Sequence, residues 1–420
     1  MMGFPKYVCA VDIGSSKVAG CVAMIRNQSI VSLSCQSVAS KGIRDGVITD
    51  HGHLVGCLGE LMRMLRKETG LALRSVYTTL PGNETTTRHS RAVIPLAERG
   101  NKIITEADVR KVEAQAKILG ASLDEEIIHA IPVQYAVDAR QPVDNPLGLY
   151  GHKLEVDMLL VCGKTSSIQN LDRVIHQTGY EIQDIFFSGL VIGKAVLNRQ
   201  MQEGTTVVCD IGSDTTELML FSNGVLRDID LLNTGSQQIT LALHDTLKIP
   251  LDLAEELKKT YGAVVGPADI AEDKEILVRK STAYRPIKQR AVVETVTQKA
   301  QEMCRLIRET LERRISTHQI DHCIVVGRTG LLEGFIETFE QILSVPVRLG
   351  LIENPHFLSA VRDQSIIPAG QNALVYLNAL GTVCTSLYGD VGVQKPKIQA
   401  PRNPLARVLH KARVLYDEYF

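Results

Sequence analysis

Two copies of one short pattern constrain this chain more than anything else in it. Val11-Asp12-Ile13-Gly14-Ser15-Ser16-Lys17 and Cys209-Asp210-Ile211-Gly212-Ser213-Asp214-Thr215-Thr216 each end an apolar run with Asp, then Gly, then small hydroxylated residues. The runs Tyr7 to Ile13 and Thr205 to Ile211 read as buried strands, and Val18 to Ile25 and Leu218 to Phe221 as their continuations. Each copy predicts strand, tight turn, strand, with a carboxylate at the mouth. One such turn fits any hairpin. Two, in the two halves of one chain, predict a duplicated architecture.

The chemistry these turns suit is a metal–phosphate site. Gly14 and Gly212 let the backbone approach an anion closely. Successive turn N–H groups form a concave anion nest. Ser15, Ser16, Ser213, Thr215 and Thr216 add donors, and Lys17 adds a positive charge. Asp12 and Asp210 are candidate Mg²⁺ partners through water, because Mg²⁺ gives up its water reluctantly.

Composition narrows the alternatives. The 420 residues suffice for about two to four domains. A formal net charge of −1 sets up no field that draws nucleic acid. Trp is absent, and no aromatic cluster flanks a basic groove for stacking bases. The nine cysteines show no Cys-x-x-Cys and no Cys/His ligand pattern. Cys9, Cys209 and Cys323 lie in apolar strands and read as small buried thiols, which suits a reducing compartment. A strand begins close to the N-terminus, which leaves no room for a signal peptide, and no apolar run approaches membrane-spanning length.

Along the chain, Leu54, Leu58, Leu61, Met62 and Leu65 predict a helix ended by Gly70. Residues 83–165 change texture and read as a small inserted α+β unit. Its helix runs from Glu106 to Leu119, capped by Thr105 with Asp108. Further helices are predicted over Val191–Asn198, 291–315, Leu331–Leu343 and 370–388, with a polar excursion at 263–290. Residues 389–402 read as a flexible linker. Beyond it, Leu405, Val408, Leu409, Ala412, Leu415, Tyr416 and Tyr419 recur on one helical face, and Arg407, Lys411 and Arg413 supply basic side chains. Asn403 caps this helix, and Pro404 occupies its first position. A basic amphipathic helix beyond a linker reads as a membrane-surface anchor.

The order of parts resembles the FtsA family, actin-like proteins of bacterial cell division. The most specific motifs lie in the insertion: Ile128-His129-Ala130-Ile131-Pro132, Tyr135-x-x-Asp138, and Asn145-Pro146-Leu147-Gly148-Leu149-x-Gly151-x-x-Leu154-Glu155, extended by Ile168-Gln169-Asn170-Leu171. Actin, Hsp70 and sugar kinases do not carry this insertion. The resemblance implies an α/β, actin/Hsp70-like two-lobed ATPase fold of duplicated ribonuclease-H-like lobes, with an inserted α+β subdomain and a C-terminal amphipathic helix. Residues 1–82 and 166–203 would form the first lobe, with the insertion at 83–165. Residues 204–239 and 316–388 would form the second lobe core, and 240–315 a subdomain inserted in it. Residues 403–420 would be the membrane-targeting helix.

The resemblance further implies an ATP and Mg²⁺ site made of Asp12, Gly14, Ser15, Ser16, Lys17, Asp210, Gly212, Ser213, Thr215 and Thr216. Gly235 would border the nucleotide, Glu255 and Lys258 would reach the ribose from one helical face, and Gly327 would open the adenine-side turn. Expected partners are the C-terminal peptide of FtsZ on residues 240–310, further copies of the chain in filaments, downstream division proteins and anionic inner-membrane lipids. The implied location is peripheral, on the cytoplasmic face of the membrane at the division site.

Three departures from the family pattern bear on catalysis. Ser213-Asp214 replace consecutive glycines, Arg328-Thr329 replace a second and third glycine after Gly327, and Phe187-Ser188-Gly189-Leu190 stand where relatives commonly have Glu-Pro. The last change removes a carboxylate that would position water, so at most slow ATP hydrolysis is expected. The alternatives are a phosphotransferase of the sugar-kinase type, for which no catalytic carboxylate is evident, and a scaffold that has lost its nucleotide.

Overall fold

The computed structural model describes residues 6–27, 29–44, 46–97, 100–266, 274–280, 283–368 and 370–388. The expected linker and the amphipathic tail, 389–420, lie outside the described residues.

The chain opens with the meander β1 (Lys6–Ile13), β2 (Lys17–Arg26) and β3 (Ser29–Ala39), antiparallel throughout. A short hairpin, β4 (Ile43–Arg44) and β5 (Val47–Ile48), leads to α1 (His51–Thr69). Asp50 caps α1 by accepting the His53 N–H at 3.0 Å, and Gly70 ends it in the left-handed region. Leu54, Leu58, Leu61, Met62 and Leu65 are all buried, and α1 packs on β2 and β3. β6 (Ser75–Leu80) then lies parallel to β1.

The insertion follows as β7 (Thr85–Pro95), β8 (Lys102–Ile103), α2 (Glu106–Gly120), β9 (Glu125–Val137), β10 (Tyr150–Gly151) and β11 (Lys153–Lys164). Its sheet has the order β7-β11-β9, and α2 packs against it over a separate core that includes Val112, Ala116, Tyr135 and Leu160. The capping box of Thr105 and Asp108 is formed. The chain returns through α3 (Thr165–Gln177), β12 (Glu181–Phe187) and α4 (Ser188–Val196). α4 starts three residues before the expected Val191, because β12 passes into the helix without an intervening loop. The first-lobe sheet has the order β12-β6-β1-β2-β3.

The second lobe repeats this plan. β13 (Thr205–Ile211), β14 (Thr216–Ser222) and β15 (Val225–Leu232) form the second meander. α5 (Ser236–Leu247), α6 (Leu251–Tyr261), the hairpin β16 (Glu275–Lys280) and β17 (Ala283–Lys288), and α7 (Gln289–Glu312) come next. The excursion at 263–290 therefore contains a paired hairpin. β18 (His322–Val326), α8 (Phe335–Leu343), β19 (Val347–Leu349), α9 (Pro355–Ala360) and α10 (Gln371–Tyr388) complete the lobe and cross back. The sheet order is β15-β14-β13-β18-β19, the same succession of two antiparallel and two parallel pairings as in the first lobe. The duplication predicted from the two turns is a duplication of whole sheets. α10 packs on β1, β2 and α4, with Leu380 and Val383 fully buried.

One expectation is corrected. The helix predicted over Leu331–Leu343 starts only at Phe335, because Gly334 adopts φ +73° where its backbone abuts Val264 and no α-helix can pass through it. The expected buried thiols Cys9, Cys209 and Cys323 are buried and unbridged. Cys21 and Cys35 stand directly opposite one another in the β2–β3 register and are joined as a disulfide, a proximity that spacing in sequence did not reveal.

Candidate functional site

The two turns face each other across the cleft between the lobes. In each, the glycine N–H closes the turn on a carbonyl three residues on: Gly14 to Lys17 at 3.0 Å and Gly212 to Thr215 at 2.9 Å. A cavity of about 210 Å³ lies between them. Asp12, Gly14, Ser15, Ser16 and Lys17 line one wall; Asp210, Gly212, Ser213, Thr215, Glu255 and Gly327 line the other. Elements 200 residues apart in sequence therefore converge because the two sheets are built alike.

Three of the expected residues do not reach the cleft wall. Thr216 is fully buried and donates to the Thr234 carbonyl at 2.7 Å, so it anchors the loop before α5. Gly235 stacks under the second turn, where an added Cβ would stand 2.4 Å from the Ser213 carbonyl oxygen. Lys258 turns inward: its ammonium donates to Thr240 Oγ1 at 2.8 Å and Ser236 O at 3.1 Å and pairs with Glu255 at 2.5 Å. Spacing put Glu255 and Lys258 on one helical face, but burial against α5 decided that only the carboxylate fronts the cleft.

The floor of the cleft is charged and buried. Burial holds the Asp12 carboxyl above its ordinary range, opposed by Lys17 and by the Asn378 amide, which donates to Asp12 Oδ1 at 2.8 Å. Burial and the nearby Asp12 charge push Asp210 up to about 6. The Lys17 ammonium, pulled down by burial, donates to the Val375 and Leu374 carbonyls of α10 instead of pointing into the open cavity. Among the described residues no group of three or more His, Cys, Asp or Glu side chains is placed to hold a metal directly. Two carboxylates lining one cleft suit a hydrated Mg²⁺, and Asn378 Oδ1, buried without a partner among the described residues, is a free acceptor suited to a metal-bound water. The residues present thus fit a cation carried through water. They also fit an anion above it, since among the described residues no protein acceptor meets the Ser15 and Ser16 N–H groups.

The residue that the sequence reading missed is Glu217. It is 6% exposed, fronts the cleft, and accepts the Gly82 N–H at 2.6 Å and the Ser188 hydroxyl at 3.0 Å. Burial first, then the Asp210 charge, raise its carboxyl to about 7. Ser188 occupies the site where a carboxylate was expected from the family pattern, and the carboxylate arrives instead from β14. Side chains alternate along a strand, so Thr216 and Glu217 face opposite ways. The available signal was one charged residue in an otherwise apolar run, Leu218 to Phe221. Glu217 joins the second lobe to both Gly82 and Ser188 of the first, and near neutrality it can hold or release a proton beside the Asp pair.

Comparison with known proteins agrees with this architecture. Two family models match: "SHS2 domain inserted in FTSA" over residues 82–162 and "Cell division protein FtsA" over residues 207–362, together more than half the chain. The cell division protein FtsA of Streptococcus pneumoniae is 26% identical over 382 residues, covering 90% of this chain and 83% of its own. That of Pseudomonas aeruginosa is 26% identical, covering 88% and 89%; that of Escherichia coli K12 is 23% identical, covering 82% and 84%. Among solved structures, the PilM–PilN type IV pilus biogenesis complex superposes with a TM-score of 0.61 at 15% identity, covering 90% of this chain and 98% of that one. The MamK double helical filament gives 0.51 at 11% identity, covering 90% and 98%. MreB5 of Spiroplasma citri bound to ADP gives 0.50 at 12% identity, covering 84% and 94%. At such identities these structures show the shared actin-like fold alone.

Proposed function

Because the chain belongs to the FtsA family of actin-like cell division proteins, we propose that it binds ATP with Mg²⁺ in this cleft, assembles into filaments, and tethers FtsZ to the cytoplasmic face of the membrane at the division site. The observation that carries the nucleotide reading is the convergence of both Asp–Gly turns on one cleft, whose lining residues Asn378 and Thr329 carry buried oxygens without a partner among the described residues. The Ser15 and Ser16 backbone would cradle phosphate, Asp12, Asp210 and Asn378 would hold the hydrated ion, and Glu255 would meet the ribose. The bound ion would offset the carboxylate charge. A site spanning both lobes lets the ligand order them relative to each other. MreB5 bound to ADP and the MamK double helical filament share the fold, which supports nucleotide binding and self-assembly as the reading for this chain. Turnover is proposed to be slow at most.

Removing the Asp210 charge without changing its shape tests the ion site. Asp210→Asn is expected to weaken Mg-ATP binding by at least about tenfold, the scale of one lost charge-assisted contact, as read by calorimetric titration. Equal affinity would move the site elsewhere. Titration of the unaltered protein with and without Mg²⁺ also tests the scaffold alternative, which would bind neither form.

The membrane reading rests on the tail sequence. Arg407, Lys411 and Arg413 would contribute about 1 kcal/mol each at an anionic surface. Asp417 and Glu418 subtract from this, so one tail is a weak anchor. Several tails on one filament act through effective concentration, which raises avidity about 100-fold or more. Filament assembly would then govern membrane residence, with FtsZ and the later division proteins as the cargo. Deleting residues 403–420 is expected to abolish co-sedimentation with anionic liposomes in the presence of ATP. Leu409→Glu should do the same with an unchanged thermal melt. Unchanged sedimentation of either variant refutes the anchor.

A further inference from the structure

The cleft carries a charge imbalance that its two turns do not resolve. Five carboxylates line it: Asp12, Asp210, Asp214, Glu217 and Glu255. Against them, among the described lining residues, stand only two cations, Lys17 and Arg328. Lys17 is committed to the Val375 and Leu374 carbonyls beneath the first turn. Arg328 is placed differently. It is exposed, leaves the second lobe directly after Gly327, and crosses the cleft so that Nη2 reaches Ser16 Oγ of the first turn at 3.4 Å. Burial first, and the Arg328 charge as a smaller contribution, lower both Lys17 and Lys258.

The next residue supplies an independent observation. Thr329 is 4% exposed, lines the cleft, and its hydroxyl has no partner among the described residues. A buried hydroxyl without a partner is costly, so native structures seldom keep one unless a water or ligand meets it. Two adjacent residues that line the same cavity thus carry an exposed guanidinium and a buried hydroxyl without a partner among the described residues. The cation lies within 3.4 Å of Ser16 Oγ.

We infer that Arg328 and Thr329 are ligand-binding side chains: Arg328 takes a phosphoryl oxygen of a nucleoside polyphosphate seated on the Ser15-Ser16 turn, and the Thr329 hydroxyl bonds the same ligand. The inference deepens the nucleotide reading above and rests on it. A guanidinium presents a planar fork of donors suited to phosphate oxygens. Its position over Ser16 selects the phosphate chain over the base. Because Arg328 belongs to the second lobe and Ser16 to the first, the same contact makes lobe closure depend on the ligand's charge.

The test is calorimetric titration of the full chain and of R328A, R328K and T329V with Mg-ATP, adenosine and Mg-tripolyphosphate, with thermal melts of each protein alone. R328A is expected to bind Mg-ATP and Mg-tripolyphosphate about 10- to 100-fold more weakly. Its affinity for adenosine should be unchanged, its salt dependence shallower, and its unliganded melt unaltered. R328K should recover part of the loss. T329V keeps the shape while removing the orphan hydroxyl, so its unliganded melt should be unchanged or higher while Mg-ATP binds about 3- to 10-fold more weakly. Mg-ATP affinity of R328A within twofold of the unaltered protein overturns the role of Arg328, and the same result for T329V overturns that of Thr329. If the unaltered chain binds Mg-tripolyphosphate in an Arg328-dependent way but not Mg-ATP, the nucleotide reading fails and the phosphate contact stands. If it binds neither, both fail.

Discussion

Glu217→Gln is expected to raise the thermal midpoint by several degrees at pH 8 and to leave it nearly unchanged at pH 5. The carboxyl of Glu217 is raised from 4.5 to about 7, by burial first and by Asp210 second, while Gly82 and Ser188 pull it back. A carboxyl raised on folding keeps its proton in the native state after the unfolded chain has lost it. Stability is therefore full below about 4.5, falls through the window from about 4.5 to 7, and stays low above it. The shift corresponds to about 3 kcal/mol at pH 8 and under about 1 kcal/mol at pH 5. Gln resembles the protonated acid in shape and can still accept the Gly82 N–H. The variant should therefore escape this loss. Asp210, raised to about 6 for similar reasons, keeps a residual slope of the same sign in both proteins. Melts recorded at half-unit steps of pH check the expectation. A variant that is less stable than the unaltered protein at pH 8 would mean that the ionised carboxylate is favoured where it sits.

Gly327→Ala is expected to destabilise the protein by about 3 kcal/mol or more, the sum of backbone strain and overpacking. Gly327 adopts φ +90° and ψ 158°, a region open essentially to glycine alone. An added Cβ would stand 2.3 Å from the Ile211 carbonyl oxygen and 3.4 Å from Asp210 Oδ1. Relief would have to come from moving the end of β13, which carries the second turn, so ligand binding should fall with stability. Gly56→Ala is the control. Gly56 lies within α1 with nothing within 4 Å of an added Cβ, and the change should stabilise by about 0.5–1 kcal/mol. Denaturant unfolding of the two variants side by side decides the matter. Equal midpoints would show that the Gly327 backbone relaxes at little cost.

Much of this protein is legible in its sequence. Apolar strands ending in Asp-x-Gly predict where chains turn, because strand periodicity and glycine tolerance are local properties. They correctly implied two like halves, and the paired sheet orders β12-β6-β1-β2-β3 and β15-β14-β13-β18-β19 are what that likeness looks like in space. The capping box at Thr105 and the buried face of α1 were equally local and equally readable.

The sequence by itself determined the duplicated architecture, the insertion and most residues of the two turns that line the cleft. Only the tertiary structure decided which of their neighbours share the cleft. Lys258 and Glu255 sit on one helical face, yet packing against α5 turns the ammonium inward and leaves the carboxylate at the wall. Glu217 follows Thr216 by one residue, yet the strand's alternation and the nearness of Gly82 and Ser188 make it the buried carboxylate of the site. Arg328 looks like an intrusion in a glycine turn until the second lobe carries it across to Ser16. Helix, strand and turn depend on neighbours along the chain; burial, charge and the partners of a side chain depend on what the fold brings from hundreds of residues away.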